Sequence, residues 1–168
     1  MIVALDTEGR ITLANRKSCQ ILGYREDELI GQDWFATCLP RGFDVNQVRE
    51  VFKMALAGYL SGSEYFENPV LTRSGEERLI AWHNSIIRDR DGNVLGGLSA
   101  GEDITERKKA EVDLRENEQL LHAVIDEIPD PVVLKDHNGD FLLCNQAVAR
   151  LYNTTPDTMV GKHDGDFG

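Results

Sequence analysis

Asp103, Thr105 and Glu106 are the polar residues whose spacing carries the most specific chemical meaning in this chain. A carboxylate or hydroxyl just ahead of an amphipathic run can accept from the free amides of a helix start. An acid three residues after Asp103 has the spacing of a capping box. The chemistry on offer is that of fixing a helix against the strand before it. Elsewhere the reactive groups are scattered. Cys19, Cys38 and Cys144 are odd in number and form no CxxC pair. They read as reduced thiols in a cytosolic protein, with Cys19 and Cys144 as packing residues. The acidic runs Glu26-Asp27-Glu28 and Glu76-Glu77 read as solvated faces, and His122 as a surface histidine on a helix. No Walker loop, zinc signature or Ser/His/Asp arrangement is present, so no catalysis is expected from these residues.

The elements that must position these groups are ordered by an internal repeat. Val3, Asp6, Gly9, Leu13, Asn15, Asp27 and Gly31 return as Val133, Asp136, Gly139, Leu143, Asn145, Asp157 and Gly161, at a constant offset of 130 residues. That is too long for a solenoid period and indicates a duplicated domain. The second copy runs only to Gly168, near residue 38 of the first, so the chain reads as a piece of a longer protein. The expected division is a domain over 1–104, a helical linker over 105–128 and the N-terminal part of a second domain over 129–168. About 40 residues are few for an independent core, so the last segment is expected to be mobile or to lean on a partner chain, its strands completing a sheet there.

Within the first copy, residues 2–6 and 11–15 flank Asp6-Thr7-Glu8-Gly9 and predict a hairpin. A short helix to Leu22 is stopped by Gly23, and a helical turn at 25–31 by Gly31. Residues 32–43 read as irregular connector. Val45, Val48, Val51, Phe52, Ala55 and Leu56 recur at helical spacing behind Asp44, with Gly58 and Gly62 as stops. Strands over Tyr65–Thr72, Glu77–Arg88 and Val94–Asp103 are joined by glycine turns, as in an antiparallel meander, and Leu79, Ala81, His83, Ser85 and Ile87 share one face of the second. The result is an α+β domain. After Asp103, Ala110, Leu114, Asn117, Leu121, Val124 and Ile128 alternate at steps of four and three, the seam of a coiled coil, over a helix of ~36 Å that Pro129-Asp130-Pro131 ends. Asn117 is a polar seam residue of the kind that fixes register.

Bulk properties exclude several classes. The 18 basic against 29 acidic residues leave a formal charge of −11, which argues against nucleic acid or anionic membrane as partner. The longest apolar runs fall far short of the ~20 residues that span a bilayer. The N-terminus lacks the basic start and apolar core of a signal peptide. The expected location is the cytoplasm, without direct membrane insertion.

Several of these segments together resemble the PAS family of sensory domains with its PAC motif. The opening hairpin Asp6 to Asn15, Leu22-Gly23-Tyr24 with Glu28-Leu29-Ile30-Gly31, the last hairpin Arg88 to Gly92 with Gly96-Gly97, and Asp103-Ile104-Thr105 with Glu106-Arg107-Lys108 carry the likeness. The resemblance covers 2–109 and, in part, 129–168. It implies a five-stranded antiparallel sheet with small helices on one face, and a sensory module of a larger signalling protein such as a sensor histidine kinase of a two-component system or a diguanylate cyclase. It also implies a ligand site between sheet and longer helix, where Trp34, Phe52, Trp82 and His83 are the candidates. Haem is argued against because residues 44–60 hold no histidine to serve as axial ligand. His83 lies on a strand, where pairing through its ring nitrogens is the simpler role. An adduct-forming flavin is argued against because the reactive-cysteine motif is missing around Cys38. A non-covalent flavin or a small metabolite stays open, with an unoccupied packed core as the remaining case. Asp166-Phe167-Gly168 echoes the magnesium tripeptide of protein kinases, but no glycine-rich or catalytic loop accompanies it. The implied mechanism is a relay: a pocket event shifts the last strand, which tilts the helix through Asp103 and Thr105, and a homodimer seam passes the motion to an output domain of the same chain. The competing reading is a ligand-free dimerisation or protein-interaction module.

Overall fold

The structure is a computed structural model that describes residues 1–42, 44–59 and 65–167. It divides into two compact units, Met1–Lys108 and Lys109–Gly168. In the first, strand β1 (Ile2–Asp6) turns through Asp6, whose carboxylate accepts from Glu8 N and Arg10 N, into β2 (Ile11–Ala14). Asn15 then accepts from Ser18 N at 2.9 Å and starts α1 (Arg16–Leu22), which Gly23 ends in the left-handed conformation at φ 76°. A helical turn α2 (Glu26–Leu29) follows.

The stretch expected to be irregular contains a further helix, α3 (Trp34–Cys38), started by Asp33 accepting from Ala36 N at 3.0 Å. Trp34, Phe35 and Cys38 are all buried, so its five residues show no polar face and no period long enough to read. Helix α4 (Val45–Leu56) begins as expected at Asp44, which accepts from Asn46 N and Gln47 N. Of its two expected stops, Gly58 has a positive φ of 80° and Gly62 lies outside the described residues.

Strands β3 (Tyr65–Leu71), β4 (Glu77–Arg88) and β5 (Val94–Asp103) form the meander, and the sheet closes in the order β2-β1-β5-β4-β3, antiparallel throughout. The chain's last strand in this unit is therefore the central one. One sheet face carries the core: Val3, Leu5, Val70, Ile80 and Trp82 pack against Leu22, Leu29, Trp34 and Phe35 of the helices. On β4 it is the even positions 80 and 82 that face this core, so the row Leu79, Ala81, His83, Ser85 and Ile87 occupies the opposite face. Gly101 lies opposite Trp82 in the ladder, and a Cβ there would stand 2.7 Å from side-chain atoms of both Ile80 and Trp82. Bare backbone at this position leaves room for the indole.

Helix α5 (Thr105–Asp126) begins two residues after Asp103. Ala110, Leu114, Asn117, Leu121 and Val124 of the expected seam all lie on it and are exposed, whereas Ile128 falls beyond its end, in a turn whose N–H bonds Ile125 O. In the second unit β6 (Val133–Lys135) pairs with β7 (Phe141–Cys144), followed by α6 (Gln146–Leu151), α7 (Pro156–Met159) and a 3-10 turn at Asp164–Asp166. The duplication is exact at the level of backbone pairing. Val3↔Ala14 becomes Val133↔Cys144, Leu5↔Ile11 becomes Lys135↔Phe141, and the bulge between them recurs. This unit holds its own cluster of Phe141, Cys144, Val148, Ala149 and Met159, with Phe167 packed against it. Phe167, in the kinase-like tripeptide, is thus a packing residue, and Gly168 lies outside the described residues.

Candidate functional site

Two helices and strands of the sheet in the first unit converge on a cavity of about 1140 Å³ between the sheet and α4. Helix α3 supplies Trp34 and Phe35, α4 supplies Val48, Val51 and Phe52, and the strands supply Val3, Phe66 and Trp82. The alternation of β4 and the cap at Asp33 bring Trp34 and Trp82 together, edge to face at 5.6 Å and 86°. Phe35 and Phe52 meet at 5.4 Å on the helical side. The expected ligand residues Trp34, Phe52, Trp82 and His83 therefore all border one cavity. The ring of His83, however, is exposed and lies 5.0 Å from Tyr65, its cross-strand partner, away from the core face.

Residue reasoning missed the polar part of the wall. Asn84 accepts from Ser99 Oγ at 2.6 Å across β4 and β5, and Asn68 on β3 borders the same space. Single asparagines in strands carry no spacing signal, so only the register reveals them. Also missed was the tie that holds α4 over the cavity. Arg49 donates to Asp33 at 2.5 Å and to Glu8 O at 3.0 Å, and its guanidinium lies 5.0 Å over the Phe35 ring. Burial works to raise the Asp33 carboxyl, but hydrogen bonds from Arg49 and Ala36 N outweigh it and hold the group below its ordinary value. Burial pushes the Cys38 thiol up to about 12, so it is neutral at pH 7 and no nucleophile. Among the described residues no group of three His, Cys, Asp or Glu is placed to hold a metal ion, and no helix is long and apolar enough to cross a membrane.

The second constellation is the junction of β5 with α5. Asp103 Oδ1 accepts from Thr105 N at 3.0 Å and from Thr105 Oγ1 at 2.6 Å. The same hydroxyl accepts from Leu79 N at 2.8 Å, and Ile104 N donates to Leu79 O at 2.9 Å. Asp103 is thus the cap at this helix start, while the Thr105 hydroxyl bonds sideways to β4. Arg78 pairs with Asp103 at 3.7 Å, and Lys108, one turn into the helix, with Glu67 at 3.4 Å. Ile104 and Thr105 are 1% and 7% exposed, so these bonds are largely shielded from water. The helix start is fastened to the strand that carries Trp82, three residues along from Leu79. Leu79 was hidden from residue reasoning because it acts through its backbone.

The first unit is thus a five-stranded antiparallel sheet with small helices on one face and a helix leaving its central strand. Residues 1–109 match the family model described as PAS fold, and a second model of the same description matches residues 119–164. The chain belongs to the PAS fold family. Its PAS sequence is 28% identical over 120 residues to the probable diguanylate cyclase DgcE of Escherichia coli K12, covering 70% of this chain and 10% of that protein. It is 36% identical over 59 residues to the virulence sensor protein BvgS of Bordetella pertussis, covering 35% of this chain and 5% of that protein. The chain thus spans a tenth or less of the length of these relatives. Among solved structures it is similar to the PAS domain of the RpfR quorum-sensing receptor of Cronobacter turicensis in complex with BDSF. That match has a TM-score of 0.51, 28% identity, and coverage of 62% of this chain and 92% of that one. The fold and the sensory family are those of PAS domains in signalling proteins.

Proposed function

We propose that this chain is a cytosolic sensory and signal-relay module of a larger signalling protein, in which a small ligand held under α4 alters the angle at which α5 leaves the sheet. The proposed division is a sensory domain over 1–104, a linker over 105–128 that carries the helix α5, and the start of a second PAS domain over 129–168. Catalysis would belong to an output domain of the same polypeptide; the name of DgcE favours a diguanylate cyclase in that place, and the resemblance to sensory signalling proteins leaves a sensor kinase as the other class. The observation that carries the reading is one strand serving two sites: β4 presents Trp82 to the cavity and Leu79 to the helix start. Movement of the cavity wall would pass to Thr105 through a single rigid element. That the similar RpfR PAS domain was solved in complex with BDSF supports ligand binding by a domain of this fold.

The chain holds two tryptophans, Trp34 and Trp82, and both border the cavity. A ligand there must change their emission and raise the melting temperature, since binding to the folded state alone stabilises it. In the intact parent, Asp103→Ala and Thr105→Ala are expected to uncouple stimulus from output while leaving ligand binding in place. Unchanged signalling in both would reject the relay. A second reading, a ligand-free homodimerisation module, is favoured by the exposed stripe on α5, where Leu114, Leu121 and Val124 are 61%, 49% and 55% exposed. Light scattering of Leu114→Asn/Leu121→Asn decides the role of that stripe: a shift from dimer to monomer supports the seam, and no change removes it.

A further inference from the structure

The two copies of the repeat differ in how one side-chain amide is used. In the second copy Asn145 Oδ1 accepts from Val132 N and Val148 N, and Asn145 Nδ2 donates to Ile125 O, Ile128 O and Asp130 O at the carboxyl end of α5. In the first copy Asn15 Oδ1 accepts from Ile2 N at 3.0 Å and from Ser18 N at 2.9 Å, the same two positions at the offset of 130 residues. Those two donors fix which end of the amide is oxygen. Asn15 Nδ2 is then left with no partner among the described residues. The backbone around the two asparagines is the same, since Asn15 N donates to Ile2 O and Asn145 N to Val132 O, each at 3.1 Å. Burial is not. Asn145 is fully buried under the helix end that it bonds, whereas Asn15 is half-buried and Ile2 beside it is 40% exposed.

We propose that Asn15 is a docking point for the carboxyl end of a helix that precedes Met1 in the parent polypeptide, whose last carbonyls accept from Asn15 Nδ2 as those of α5 accept from Asn145 Nδ2. At the offset of 130, Ile125, Ile128 and Asp130 correspond to places six, three and one residue ahead of Met1. The helix ends about five residues ahead of Met1, the place that corresponds to Asp126 at the end of α5. The chain can enter from that side. Met1 N donates to Gly101 O, and Gly101 N to Met1 O at 2.8 Å, a strand pair that needs only one N–H from residue 1. A peptide amide in that position keeps both bonds. The occupant is a helix end because the carbonyls of a last turn have no donor within their own helix and gather at one place, as the three acceptors of Asn145 Nδ2 do. Helix α5 of a second copy does not qualify, since its own final carbonyls are already bonded by Asn145. Asn15 borders neither the cavity nor the bonds at Asp103, so this attachment is distinct from both.

The test follows amide exchange by mass spectrometry in the parent polypeptide, over the segment just ahead of Met1. Asn15→Asp keeps Oδ1 for Ile2 N and Ser18 N, removes both Nδ2 protons and sets an anion against the carbonyls. A protected turn is expected ahead of Met1. Asn15→Asp should speed its exchange by at least about tenfold, while the segment 2–18 stays protected. Asn145→Asp in the same polypeptide is the internal standard and should speed exchange over Val124–Ile128 in the same way. Where Asn15→Asp does not fold, Asn15→Ser keeps a capping oxygen without the amide and carries the same expectation. A parent with no protected turn ahead of Met1 overturns the proposal. So does protection there that survives loss of the Asn15 amide. An Asn145→Asp variant that leaves the end of α5 protected overturns it as well, because the amide would then hold no helix end even where it is seen bonded.

Discussion

At the scale of single residues, the cavity depends on what is missing as much as on what is present. Trp82 can pack against its neighbour strand because residue 101 has no side chain, and the closest approach of an added Cβ to the ring is 2.7 Å. Gly101→Ala must push the indole or the Ile80 side chain aside. The expected cost is about 1–3 kcal/mol, the range for an overfilled core, read as a lower urea midpoint with an unchanged slope, together with altered Trp82 emission. An unchanged midpoint would mean that the sheet floor yields more easily than its packing indicates. The tryptophans themselves were legible in the sequence, since two large aromatics among few invite the question of what they face. Asn68 was not legible: an asparagine on a strand becomes informative only when the register places it opposite Ile80. Leu79 was not either, because its contribution to the helix start is made by its N–H and C=O, which every residue owns.

At the scale of elements, α4 walls the cavity on its helical side, and one ion pair holds its outer side. Arg49 and Asp33 are 26% and 30% exposed at the side chain, partly shielded from water, and Arg49 also bonds the β1–β2 turn. The Asp33 carboxyl lies below its ordinary value of 3.8 in the folded state. A carboxyl depressed on folding contributes stability that is complete above its unfolded value and disappears as pH falls through its folded value. The docking of α4 is therefore expected to be unaffected from pH 8 to about 5 and to weaken below about pH 4. Asp33→Asn should remove this acid step and raise amide exchange along Val48–Leu56 at neutral pH. A step of the same size in the variant would assign it to another group. Asp33 also starts α3, the helix that sequence reasoning left out. Periodicity exposed α4 because twelve residues with one polar face give a repeating signal, while α3 has five residues, three of them buried. The strands of the meander were readable for the converse reason: each is bounded by turn residues, and the pairing Ile80↔Asp103 through Arg88↔Val94 follows from the short loop between them.

At the scale of the whole molecule, the repeat explains both the two units and the helix that belongs to each in turn. Seven identities at one offset were enough to reveal the duplication, and the hydrogen bonds keep that offset: Ile2 N to Asn15 Oδ1 is matched by Val132 N to Asn145 Oδ1, and Ile11 N to Gln32 O by Phe141 N to Lys162 O. What the identities did not show is that the second asparagine has further work. Asn145 is fully buried, and its Nδ2 donates to Ile125 O, Ile128 O and Asp130 O at 3.0, 3.1 and 2.9 Å, closing the carbonyl end of α5. Asp126 adds an acceptor for Gln146 N at 2.8 Å. The same helix is thus bonded at its first residue by Asp103 and Leu79 and at its last turn by a side chain from the next repeat. The two ends should then loosen separately. Asp103→Ala is expected to free the first turn at about 1 kcal/mol, the worth of a cap, raising amide exchange near Lys108 severalfold. Asn145→Ala leaves buried donors and acceptors unpaired and is expected to cost about 3 kcal/mol, raising exchange over Val124–Ile128 and at Val132 and Val148 by roughly a hundredfold. If the asparagine variant left the last turn of α5 protected, that turn would be held by packing of Ile125 alone, and the bond pattern at its end would contribute nothing to closing it.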